Sequence, residues 1–140
     1  MKTCELTVTR VIPAAPEAVF DVWIDPKSPG GPWFGAHRVI LDARVDGLFY
    51  LALGHEARIY PHYGRFVRIE RPGLVEHTWM SEGTRGLESV VTVTMRASGD
   101  GTEVTLRQAN VPDDEEGRKH EEGWGSALAA LAERFERGKR

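Results

Sequence analysis

The segment ELTVTRVI (5–12) alternates apolar and polar positions with a two-residue period, and Pro13 closes it, which predicts a first strand. In APEAVFDVWIDP the spacing becomes helical: a proline stands at the start, Val19, Phe20, Trp23 and Ile24 share a side, and Pro26 stops the run. The next stretch, KSPGGPWFG, is rich enough in Pro and Gly to predict only a turn or a broken second helix, yet it carries Trp33 and Phe34. Strand patterns follow from 38 to 108: RVILDAR, GLFYLALG, ARIYPHYGRFVRIE, LVEHTWMS, LESVVTVTMRA and TEVTLRQ. Asp46-Gly47, Gly54, Arg71-Pro72-Gly73, Ser81-Glu82-Gly83 and Gly99-Asp100-Gly101 separate them, as expected of hairpins in a mainly antiparallel meander. Val91, Val93 and Met95 share one face while Thr92, Thr94 and Arg96 share the other; Phe49, Leu51 and Leu53 repeat the pattern, as do Val104 and Leu106. Pro61 and Gly64 inside the fourth strand predict an edge or a bulge.

The last element starts at VPDDEE, where Asp113 with Glu116 makes an acidic N-cap pattern, and runs from about 114 to 136. Trp124, Leu128, Leu131 and Phe135 fall on one face of this helix, and the same face extends back to Gly117 and the pair His120/Glu121. The expected fold class is therefore α+β. A seven-stranded antiparallel sheet with one dry face needs a cover, and this helix is the only element long enough to supply it. A curled sheet gripping such a helix leaves a hollow, with the polar half of the helix at its mouth and the apolar half plugging its far end.

Composition narrows the function. At 140 residues the chain is most simply one domain, 1–140, large enough to bury a core without staples. The single Cys4 excludes an internal disulfide, and the start MKTCELTVTR has neither an apolar signal core nor a membrane-length run, so a cytoplasmic location without membrane association is expected. The net charge of −3, with cations scattered among acids, argues against a nucleic-acid partner. The basic ending ERFERGKR complements a helix dipole.

HEEGW (120–124) opens like the H-E-x-x-H zinc motif, but Trp124 replaces the second histidine and leaves too few ligands for a catalytic zinc. His55, His62 and His77 have no metal spacing and are expected to be solvated. Cys4 has no cue to a base, and Ser126 lacks a nucleophile elbow. No metal or cofactor is implied. Acid/base chemistry would require a buried Glu88, His77 or His120 facing the hollow.

Four tryptophans have a packing explanation, but Trp33 and Trp124 lie in glycine-rich surroundings that packing does not require. Gly123 and Gly125 each cost about 1 kcal/mol relative to Ala in a helix interior, which points to close approach or bending beside Trp124. The expected ligand-binding lining is Trp33, Phe34, Phe49, Leu51, Phe66, Trp79, Val91, Val93, Trp124 and Leu128, with His120 as the polar group that orients a ligand.

PAAPEAVFDVWIDP, WFG, GRFVRIERPGLVEHTW, SVVTVTM, GDGTEVTLRQANVPD and HEEGWGSALAALAERF, taken in order, resemble the bacterial proteins homologous to the C-terminal domain of the activator of Hsp90 ATPase. These belong to the START/Bet v 1-like superfamily of helix-grip folds. The likeness runs from Glu5 to Phe135 and departs at ARVDGLF, where relatives often have a Pro-Gly-Gly turn. It implies a curved seven-stranded antiparallel sheet wrapped around a long C-terminal helix, with two short helices after the first strand. It also implies a cavity that binds a small apolar or amphipathic molecule; no covalent chemistry is expected, and the protein is expected to be a monomer or a homodimer. Two alternatives accompany it. One is a cyclase- or lyase-like enzyme that moves a proton with a buried His or Glu. The other is a module acting on an Hsp90-type chaperone, weakened by the lack of a second domain for a bipartite grip.

Overall fold

The computed structural model describes residues 1–138. Strand β1 (Thr3–Ile12) is followed by helix α1 (Pro16–Trp23), then β2 (Arg38–Leu41), β3 (Leu48–His55), β4 (Arg58–Glu70), β5 (Leu74–Ser81), a single 3-10 turn (Glu82–Thr84), β6 (Ser89–Ser98), β7 (Gly101–Pro112) and helix α2 (Glu115–Arg137). The strands form one antiparallel sheet in the order β1-β7-β6-β5-β4-β3-β2. The alternation in the sequence sets its two faces: Ser89, Val91, Val93 and Met95 of β6 and Thr102, Val104, Leu106 and Gln108 of β7 point inward and are buried. Helix α2 closes this dry face, running against β1 and β7 and burying Trp124, Leu128, Leu131 and Ala132. The sheet and helix thus make the expected helix-grip arrangement.

Strand β4 is interior, flanked by β3 and β5, so Pro61 and Gly64 do not mark an edge, and the strand's irregularity falls beyond them. Its register shifts between Phe66 and Arg68. At Gly64 the chain passes so close to β5 that an added Cβ would lie 1.9 Å from the Thr78 carbonyl oxygen, a space no side chain can occupy. Strand β2 stops at Leu41 because Asp42–Gly47 folds into turns, with Arg44 N–H donating to Asp42 O and Gly47 N–H to Arg44 O. Strand β7 continues to Pro112, past the sequence-based end at Gln108. The N-cap of α2 is Asp114, whose carboxylate accepts from Gly117 N–H at 2.8 Å, while Asp113 pairs with Arg118 and Lys2.

The second short helix after β1 is present in broken form: from Asp25 to Ala36 the backbone makes successive turns, with Ser28 N–H donating to Asp25 O, Gly31 to Ser28 O, Phe34 to Gly31 O and Ala36 to Trp33 O. This segment lies against α2, where the Arg134 guanidinium donates to the Pro29 carbonyl and, at 3.0 Å, to Ser28 Oγ. Helix α1 closes the other end of the core with Val19, Phe20, Val22 and Trp23. There Phe49, Phe66, Val75 and His77 are packed without room for a molecule of water.

Candidate ligand-binding site

The interior stays open where the polar half of α2 passes over β3, β4 and β5. A chamber of about 330 Å³ lies there, walled by Trp33 and Pro32 from the turn segment, Leu51 and Leu53 from β3, His62 from β4 and Trp79 from β5. Helix α2 supplies the roof through Glu116, Lys119, His120, Gly123, Trp124 and Ala127. Outward it is continuous with a wider groove of about 800 Å³ between the β3–β4 hairpin, the Glu82–Thr84 turn and α2, which shares Leu53, His62, Gly83, Glu116, Lys119, His120 and Gly123 with it. The size and mainly apolar, aromatic lining suit a small hydrophobic ligand.

Buried hydrogen bonds fix the aromatic walls. Trp124 Nε1–H donates to Gln108 Oε1 at 2.8 Å, Gln108 Nε2 donates to Ser89 Oγ at 2.9 Å, and Ser89 Oγ–H donates to the Trp79 carbonyl at 2.6 Å. Gln108 and Ser89 are fully buried, so this chain satisfies polar atoms that would each be costly if left alone. Trp33 Nε1–H donates to the Trp23 carbonyl at 2.6 Å. The rings also meet edge to face: Trp33 with Trp124 at 6.3 Å between centroids, and Trp79 with Trp124 at 5.0 Å.

Two histidines border the chamber. His120 Nδ1 lies 2.8 Å from the Gly117 carbonyl and therefore carries the proton, leaving Nε2 to accept from Trp79 Nε1–H at 3.3 Å. His62 is oriented by Nδ1–H donating to the Leu51 carbonyl at 3.1 Å, with its ring 4.6 Å from that of Trp79. Burial holds the His62 imidazole below the ordinary histidine range; the Leu51 carbonyl opposes this, nearby His120 adds to it, and the Tyr60 backbone opposes it further. Burial therefore favours the neutral form of this ring over the protonated one.

Of the residues expected to line the hollow, Trp33, Leu51, Trp79, His120 and Trp124 border the chamber. Phe49, Phe66, Val91, Val93 and Leu128 lie in the packed core beyond it, and Phe34 points outward with 57% of its surface exposed. Phe34 follows Trp33 in a turn, where neighbouring side chains diverge and no periodicity betrays which faces inward. His62 and His77 depart from the solvated setting expected of them. His77 is fully buried, stacked on Phe49 at 4.0 Å, and burial pushes its pKa down to about 4 despite its contact with the Thr78 carbonyl and the charge of Glu76. Glu88 is exposed, and His77 sits in the closed core away from the chamber.

Sequence reasoning missed His62 and Gln108. For both a signal existed: Gln108 continues the inward series Val104, Leu106, and His62 lies four residues before inward Phe66, on the same side of β4. The two helix glycines also differ from expectation. A Cβ on Gly123 or Gly125 would meet nothing within 4 Å, so neither marks a close approach of the sheet, and Gly123 instead borders open space. Among the described residues no group of three or more His, Cys, Asp or Glu side chains is placed to hold a metal ion, and no helix is long and apolar enough to cross a membrane.

A curved antiparallel sheet gripping a C-terminal helix, with an open chamber under the helix, defines a helix-grip domain. The family model described as activator of Hsp90 ATPase homolog 1-like protein matches residues 13–136, and the chain belongs to that family. Among solved structures, a Chromobacterium violaceum protein is similar with a TM-score of 0.78 at 22% identity, covering 94% of this chain and 96% of that one. The AHSA1 protein of Silicibacter pomeroyi gives 0.76 at 27% identity, covering 94% and 96%. A Cytophaga hutchinsonii protein solved in solution gives 0.76 at 23% identity, covering 99% and 98%. No curated protein matches the chain.

Proposed function

We propose that the protein binds a small, largely apolar molecule in the chamber beneath Trp124 and does no covalent chemistry on it. The observation that carries this is the clearing at Gly123: three tryptophan rings are locked around about 330 Å³ of space, and one of the helix residues bordering it has no side chain to fill it. A helix that only had to cover the sheet would gain about 1 kcal/mol from Ala at that position. Transfer of the ligand's apolar surface from water would drive binding at roughly 25 cal/mol per Å² buried. The groove between the β3–β4 hairpin and α2 supplies the entrance, and the exposed Glu116–Lys119 pair at 2.9 Å marks its rim.

The test fills the chamber without touching the core. Gly123→Leu places its side chain in the open space and should abolish uptake of an environment-sensitive naphthalene sulfonate dye that the unaltered protein binds, while thermal stability is kept. Dye binding that survives in Gly123→Leu would place the dye elsewhere and remove the chamber from consideration.

A further inference from the structure

The chamber wall is saturated in hydrogen bonds to a degree that restricts what can enter. All three indole N–H groups are committed within the protein: Trp33 to the Trp23 carbonyl, Trp79 to His120 Nε2, and Trp124 to Gln108 Oε1. Both nitrogens of His120 are used, and Glu116 and Lys119 are paired with each other at the rim. Inside that exposed rim, His62 is the exception. Its Nδ1–H is spent on the Leu51 carbonyl, which leaves Nε2 with a lone pair, and among the described residues that atom has no hydrogen-bond partner. The ring lines both the chamber and its outer groove, so a molecule passing between them meets it.

Resting on the proposed binding role, we infer that His62 Nε2 is the specificity-determining acceptor of the site, and that the ligand is a neutral aromatic molecule carrying one O–H or N–H donor. The aromatic part is matched by the faces and edges of Trp33, Trp79 and Trp124, which offer apolar area and quadrupole contacts but no further donor. The donor is matched by a lone pair that otherwise stays unpaired in a partly buried place, so a ligand without one forfeits a hydrogen bond and leaves Nε2 unsatisfied. A carboxylate fits poorly. Its oxygens would face the same lone pair, burial disfavours the protonated imidazole that could receive it, and the ammonium of Lys119 stands at the exposed rim beside the Glu116 carboxylate, which repels a second one. A mono-hydroxylated bicyclic ring is the simplest molecule that meets all of these conditions.

Calorimetric titration with three probes of one shape separates the alternatives: 2-naphthol, 2-methoxynaphthalene and 2-naphthoate. The unaltered protein should bind 2-naphthol about two- to twelvefold more tightly than the methyl ether, the usual range for one net hydrogen bond, and 2-naphthoate more weakly than either. In His62→Phe, which keeps a flat ring there, the two neutral probes should bind equally. The inference is overturned if the unaltered protein binds both neutral probes equally, if the preference survives in His62→Phe, or if 2-naphthoate binds most tightly. Binding of no neutral probe would bring down the ligand-binding role and this inference with it. Imidazole nitrogen NMR on the unaltered protein tests the same point independently of how the variant folds. Nε2 of His62 should resonate as the unprotonated nitrogen and move when 2-naphthol is added, whereas an unmoved signal with the probe bound would refute its role as acceptor.

Discussion

Gly117 and Gly123 both stand in α2, the first on its buried face and the second on its exposed side, and they answer opposite demands. At Gly117 the helix start is pressed onto the end of β7, so that a Cβ would lie 1.9 Å from the Pro112 carbonyl oxygen; at Gly123 a Cβ would meet nothing within 4 Å. The same residue type thus marks the tightest and the most open stretch of one helix. The two inward histidines repeat the contrast. His77 is sealed against Phe49 at the closed end, and His62 looks into the chamber at the open end. The difference teaches that the interior is divided: one end is packed for stability, while the other is held apart by hydrogen-bonded tryptophans.

Three measurements would sharpen or break that division. The largest effect should come from Gly117→Ala, because the Pro112 backbone and the Val111 side chain leave the new methyl group nowhere to go. A loss of about 3 kcal/mol in chemical denaturation is expected, from overpacking and displacement of the Asp114 cap, and a loss below 1 kcal/mol would show that the helix start is loosely seated.

Next comes acid. The folded pKa of His77 is lowered from 6.5 to about 4, so between these values the unfolded chain binds a proton that the folded chain refuses. The stabilisation is therefore complete above pH 6.5 and is lost as pH falls toward 4, by at most about 3 kcal/mol at 1.36 kcal/mol per unit. His62, also lowered, acts in the same direction, whereas the lowered carboxylates of Asp21, Asp113 and Asp114 lose their contributions only below their ordinary value of 3.8. Stability measured against pH should slope most steeply in the His77 window, and His77→Leu should flatten it. An unchanged slope in that variant would mean that His77 is reached by water in the folded state.

The smallest effect, and of opposite sign, belongs to Gly123→Ala. The methyl group enters open space and the helix gains propensity, so the midpoint of denaturation should rise by the equivalent of up to about 1 kcal/mol. A destabilised Gly123→Ala would mean that the chamber collapses in solution and that the helix approaches the sheet there after all.

The closed end was far more legible in the sequence than the open one, for a physical reason. Packing imposes period: Val91, Val93 and Met95 in β6, and Leu128 and Leu131 in α2, repeat at the spacing of their elements because the same surface must be met again and again. The chamber imposes no such repetition. Leu51, Leu53, His62 and Trp79 come from three different strands, and other parts of the wall from a turn segment and a helix glycine, where regular spacing breaks down. Trp33 and Trp124 were conspicuous because of their glycine-rich surroundings, but the choice between Trp33 and Phe34 depended on a local turn. His62 depended on a register set by Leu51 across the sheet, and Gln108 on a tryptophan partner supplied by another element.

The hydrogen-bonded indoles bear on binding in another way. A pocket lined by free aromatic side chains must immobilise them when a guest arrives, at about 0.5–1.5 kcal/mol for each ordered side chain. Here the Trp23 carbonyl, the His120 ring and the Gln108 amide already fix the three rings. That entropy is surrendered once, during folding, so the receptor is rigid before any encounter, and affinity depends on how well the guest matches a shape that already exists.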